Sequence, residues 1–160
     1  MLNTKGVRSI LGVISALVIV ELIGGLSGLF AGDIKGIYNG LNLPPLAPPD
    51  YLFGLVWPIL YALIAIAGYL IFAQKDRGSN LYRGSILYGA QLLLNFIWSI
   101  VFFKGYFWTG TLIILGLDLL VLFCIKNFLK LNRIAGCLLI PYLLWLLFAT
   151  YLSVAVAFLN

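Results

Sequence analysis

Five long apolar runs, at residues 10–31, 51–73, 85–103, 106–125 and 134–159, leave this chain few folds to choose from. Each is about 19 to 26 residues long, enough for a helix rising 1.5 Å per residue to cross a hydrocarbon core of about 30 Å. Hydrophobic residues make up 63% of the 160 positions and charged residues only 9%. A water-soluble core of that size cannot hide so much apolar surface, so lipid is the natural solvent for most side chains. The expected fold is an all-α membrane protein: one domain over residues 1–160, a bundle of five transmembrane helices with a long Pro-rich loop, 32–50, between the first two.

The net charge of +5 does not point to nucleic acid, because the basic residues form no run and flank the apolar segments instead. One set of loops collects Lys5, Arg8, Lys75, Arg77, Arg83, Lys126, Lys130 and Arg133, while the other holds only Lys35 and Lys104. By the positive-inside rule this places the N-terminus in the cytoplasm and the C-terminus outside, in a membrane such as that of a bacterial cell. The first run follows Lys5 and Arg8 as a signal peptide would, but it is long and interrupted by Glu21, and reads as a retained anchor. Cys124 and Cys137 lie in separate runs without metal-ligand spacing, so neither a metal site nor a disulfide framework is expected. The absence of His removes the commonest haem axial ligand and most general bases, and no cofactor is required by this reading.

The 32–50 connection carries Pro44, Pro45, Pro48 and Pro49. Loops of this length in compact proteins are functional or disordered. Four prolines favour a stiff, extended path, with Asp50 capping the second long helix and the whole loop forming a lid. Recognition of the proline string by a partner domain is the weaker reading.

Polar side chains inside lipid are costly, which singles out Glu21, Gln91, Asn95 and Asp118. Counted from the lid side, Trp57 lies about 9 Å deep, Asn95 about 12 Å, Glu21 about 15 Å and Asp118 about 16 Å. Gln91, Asn95, Trp98 and Phe102 share one face of the third span. Tyr142, Trp145, Ala149 and Leu152 share a face of the fifth, below a bend expected at Pro141. These faces describe an aromatic cavity under the lid, suited to a flat and mostly apolar ligand. Tyr38, Pro44, Phe53, Tyr61 and Phe148 complete the candidate lining. Asn95 and Asp118 either contact the ligand or bridge helices, and Glu21 reads as structural: protonated, or facing water or a partner subunit. Tyr51, Tyr106 and Trp108 are interfacial anchors, whereas Trp57 and Trp145 lie too deep for that. Gly24, Gly28 and Gly32 form a small-residue stripe that fits close packing within the bundle or a homodimer.

The stretch PPLAPPDYLFGLVWPILY at 44–61 resembles the TspO/translocator-protein family, also called tryptophan-rich sensory proteins or peripheral benzodiazepine receptors. QLLLNFIWSIVFF at 91–103 is similar to that family's third helix and PYLLWLLFATYLS at 141–153 to its fifth. The resemblance implies a five-helix bundle, often a homodimer, that binds porphyrins such as protoporphyrin IX beneath its first loop. In some members it implies cholesterol or benzodiazepine-type ligands. Carried over by position, Trp57, Asn95, Trp98, Trp145 and Ala149 are the implied pocket residues and Asp118 the implied acidic position. For some bacterial members the resemblance implies breakdown of porphyrin under light and oxygen, which would give Trp57 and Trp145 a catalytic part. The chain departs from the family pattern at Asp50 and Tyr51, at Leu55 and at Ser153. It also lacks a Lys or Arg after Tyr151, which argues against cholesterol. The functions in play are therefore a porphyrin receptor or sensor, a transporter of tetrapyrroles or other amphipathic molecules, and a structural membrane subunit without a ligand.

Overall fold

A computed structural model describes residues 4–74 and 78–160. The apolar runs become helices: α1 (Thr4–Ala31), α3 (Tyr51–Phe72), α4 (Ser79–Phe103) and α5 (Phe107–Leu131), with α6 (Arg133–Leu138) and α7 (Ile140–Leu159) together making the last span. A short helix, α2 (Ile34–Asn39), lies between α1 and α3. Among the described residues five spans are long and apolar enough to cross a membrane, the last running from Arg133 to Leu159 through α6 and α7. The chain is a multi-pass integral membrane protein on these lengths.

The helix ends have local causes. Gly32 and Gly105 take φ of +91° and +90°, a left-handed conformation open to glycine, and they close α1 and the α4–α5 turn. α4 starts at Ser79, six residues before the apolar run, because polar residues up to Arg83 continue the helix into the interface. α6 gives way to α7 at Leu139, just before Pro141, which has no N–H to continue the ladder. Lys75 and Arg77, two of the eight cations in the charge count, lie outside the described residues.

The 32–50 connection is less extended than its prolines suggest. Asp33 caps α2 through its Oδ1, which accepts from the Gly36 N–H at 3.0 Å. Apart from Gly32 and Asp33, only the stretch from Gly40 onward lacks helix. Asp50 does not cap α3: it has helical φ and ψ and makes no side-chain cap bond. Its carboxylate reaches back to α2 instead, accepting from Asn39 Nδ2 at 2.9 Å and pairing with Lys35 at 3.6 Å.

The long helices form a ring in the order α1, α3, α6/α7, α5, α4, closed by α1 against α4. The core lies among α3, α5 and α7, where Ile64, Leu117, Val121, Tyr142 and Leu146 are fully buried. Leu22, Leu29, Leu112, Leu119 and Leu144 point outward, as side chains in contact with lipid do. α3 and α4 meet only slightly, and the space between them is backed by α1.

Candidate functional site

That space is a cavity of about 470 Å³ below α2 and the start of α3. Three helices supply its wall at helical spacing. From α3 come Gly54, Trp57, Pro58 and Tyr61; from α4 come Asn95, Trp98 and Ser99; from α1 come Glu21, Gly24, Gly25 and Gly28. Tyr38, Lys35 and Asp50 stand at the roof end, with Phe53 beside them.

The aromatic wall is continuous. Trp57 stacks on Tyr61 with centroids 5.4 Å apart and lies 6.2 Å from Trp98. Gly24 makes this possible, because a Cβ there would overlap the Tyr61 ring. The glycine stripe of α1 therefore has an inward role: Gly24 admits Tyr61, Gly28 leaves the wall open, and Gly32 ends the helix. Pro58 cannot donate to the Gly54 carbonyl, which leaves an acceptor without its helical partner on the same face.

Behind the wall, a directional chain of hydrogen bonds ties three helices together. Tyr61 OH donates to Asn95 Oδ1 at 2.8 Å, Asn95 Nδ2 donates to Tyr142 OH at 3.1 Å, and Tyr142 OH donates to Gln91 Oε1 at 3.0 Å. Asn95 thus both lines the cavity and bridges α3 to α7. Glu21 differs: it stands on the wall with no hydrogen bond or ion pair among the described residues.

The roof is fastened on both sides. Tyr38 OH donates to Pro48 O at 2.7 Å and Tyr151 OH to Pro45 O at 2.6 Å. Asn42 and Asn160 exchange bonds between the loop and the end of α7. The Asn39 amide, followed by the Lys35 ammonium, holds the Asp50 carboxyl below the usual carboxylate range. Burial pushes the Tyr38 phenol up, and the Asp50 charge adds to this.

Of the residues singled out from the sequence, the cavity gathers Tyr38, Phe53, Trp57, Tyr61, Asn95 and Trp98. Pro44 is buried within the roof. Trp145 stands behind the wall: its ring meets Phe53 edge-on at 6.2 Å, and Phe53 meets Tyr38 at 4.8 Å. Phe148 packs on Trp145 at 5.6 Å. Gln91 and Tyr142 are buried and bonded to each other between α4 and α7, and Ala149 is buried on α7. Asp118 faces α7, where its Oδ2 accepts from Thr150 Oγ1 at 2.7 Å. Sequence reasoning did not place Glu21, Lys35, Pro58, Ser99 or Phe103 on the wall, although Glu21, Gly24, Gly25 and Gly28 carry the i, i+3, i+4, i+7 signal of one helix face.

A family model described as the TspO/MBR family matches residues 15–159. The chain belongs to the TspO/MBR family. The match takes in every residue of the cavity wall, from Glu21 to Phe103. Among TspO/MBR relatives, the chain is 36% identical to the tryptophan-rich protein TspO of Archaeoglobus fulgidus, over 95% of this chain and 99% of that one. It is 33% identical to the tryptophan-rich sensory protein of Cereibacter sphaeroides, over 72% of each chain. It is 31% identical to the translocator protein of Ovis aries, over 72% of this chain and 70% of that one.

Proposed function

We propose that this TspO/MBR protein is a membrane receptor or sensor whose cavity binds a flat, mostly apolar ligand of the porphyrin class. The observation that carries this reading is the continuous Tyr61–Trp57–Trp98 surface beside about 470 Å³ of space, within the range of about 300–1,000 Å³ usual for small-molecule sites. A planar ring system gains offset-stacked contact along such a wall. Few polar groups interrupt the surface, so orientation falls to Glu21, Asn95 and the Gly54 carbonyl, which receives no N–H from Pro58, on the membrane-embedded part and to Lys35 at the roof. A ligand with N–H donors at its centre and acidic groups at its edge matches that division. The relatives named as sensory and translocator proteins support a receptor over a ligand-free subunit.

Titration of the detergent-purified protein with protoporphyrin IX, followed by tryptophan fluorescence, tests the site. Saturable quenching is expected. Trp57→Phe and Trp98→Phe each weaken binding roughly 3- to 10-fold, the equivalent of one aromatic contact of about 0.5–1.5 kcal/mol. Trp145→Phe, one ring removed from the wall, weakens it less. Affinity unchanged in both wall variants would move the site elsewhere, and absence of saturation would remove the ligand reading. Illumination in air then distinguishes holding from consumption: porphyrin absorbance that decays no faster than free pigment rules out degradation.

A further inference from the structure

We propose that the basic end of the bundle carries a second site, for a phosphate-bearing anion whose apolar tail continues into the membrane. A groove of about 280 Å³ lies between α4 and α5, well apart from the aromatic cavity. Arg83 enters it from α4, and Lys126 and Lys130 enter it from α5. Among the described residues no carboxylate lines it. Among the described residues the one ion pair is Lys35 with Asp50 at the other end of the molecule, and none of these residues gives the three cations an acidic partner. Lys126 and Lys130 are one helical turn apart and repel each other, a cost that a bound anion removes.

Orientation in the membrane explains why cations gather at this end, but it does not explain the polar group built in beneath them. Asn127 lines the groove and is only 7% exposed. Its Oδ1 is buried without a partner and seated against Gly84, where a Cβ would come within 2.5 Å of it. That seating turns the oxygen toward α4 and leaves the Nδ2 amide, with no hydrogen-bond partner of its own, as the donor on the groove side. Asn80 lines the groove from the first turn of α4, a 25-residue helix that begins without a side-chain cap or an acidic residue. The positive end of that helix adds to the attraction for an anion.

The groove also has a direction. Asn80, Arg83 and Lys130 stand nearest the loops, while Leu87 and Phe123 lie one to two turns farther into the bundle. The Lys126 ammonium leans over the Phe123 ring at 5.9 Å from its centroid, which joins the charged mouth to the apolar floor. A free phosphate would use only the mouth. An anionic phospholipid uses both, its headgroup among the cations and an acyl chain along Leu87 and Phe123.

Native mass spectrometry of the full chain tests this with short-chain phosphatidylglycerol, phosphatidylcholine and inorganic phosphate as probes. Phosphatidylglycerol is expected to bind about tenfold or more tighter than phosphatidylcholine, and R83Q/K126Q/K130Q to lose that preference. Far-UV circular dichroism and the porphyrin titration confirm that the variant folds. Arg133→Gln removes a cation at the same end but outside the groove, and keeps the preference. If millimolar phosphate displaces phosphatidylglycerol, and does so only when the three cations are present, the occupant is a free phosphate and the tailed anion is overturned. If it does not, the lipid is the occupant. Equal binding of the two lipids, a triple variant that binds like the wild type, or an Arg133→Gln variant that loses the preference as fully as the triple variant, would overturn the site.

Discussion

At the scale of single residues, the wall depends on a few positions where one atom matters. Gly24 is such a position: Gly24→Ala drives a methyl group into the Tyr61 ring. We expect a loss of about 1–3 kcal/mol in stability together with weaker porphyrin quenching, because overpacking displaces the ring that Trp57 stacks on. Thermal unfolding in detergent and the fluorescence titration read the two effects separately. Glu21 makes the opposite case. It holds no partner that its removal would strand, so Glu21→Leu should leave the thermal midpoint unchanged or raise it while lowering ligand affinity. A loss of stability with unchanged affinity would make it a structural residue. Leu46 stands at the roof tip, 83% exposed, with φ of +67° in the turn closed by Ala47 N–H to Pro44 O. A left-handed non-glycine residue costs about 1–2 kcal/mol, so Leu46→Gly should stabilise the protein slightly despite the added freedom of its unfolded chain.

At the scale of elements, two connections decide how the helices sit. The chain from Tyr61 through Asn95 and Tyr142 to Gln91 fixes α3, α4 and α7 relative to one another. Asn95→Leu leaves two phenol hydroxyls short of partners and should cost about 1–3 kcal/mol, measured by unfolding in a denaturing detergent. The second connection joins α2 to α3 through Asp50. Its folded-state pKa is below the unfolded value, so its contribution is fully present above the unfolded pKa and is lost as pH falls through the folded one. Porphyrin affinity should therefore show no pH dependence from Asp50 between pH 5 and 8, and fall only below about pH 4. Asp50→Asn should show that weakened affinity at every pH. The expected lid and the observed roof differ for the same reason: an Asp just before a helix predicts a cap, but Asn39 and Lys35 on α2 compete for the Asp50 carboxylate and win.

At the scale of the whole molecule, an odd number of spans implies termini on opposite sides, and we propose from the distribution of Lys and Arg that the N-terminus is the cytoplasmic one. Cysteine labelling of intact cells checks this. Leu46→Cys in a Cys137→Ser background should react with an impermeant reagent from outside, since Cys124 is buried and Cys137 is the exposed native thiol. Reaction from the cytoplasmic side alone would reverse the orientation. Span number, helical class and the uneven charge were legible in the residues because apolar length and charge are properties of a stretch of chain, and so is the depth of a residue counted along its helix. The direction in which that residue points around the axis is not. Asn95, Glu21 and Asp118 were placed at one level by counting, yet Asn95 and Glu21 reach the cavity while Asp118 turns to Thr150. Trp57 and Trp145 were read as two sides of one pocket, and Phe53 stands between them. Rotation about each helix axis is set by which side chains interlock with neighbouring helices, such as Tyr61 against Gly24, and that choice exists only once the bundle has formed.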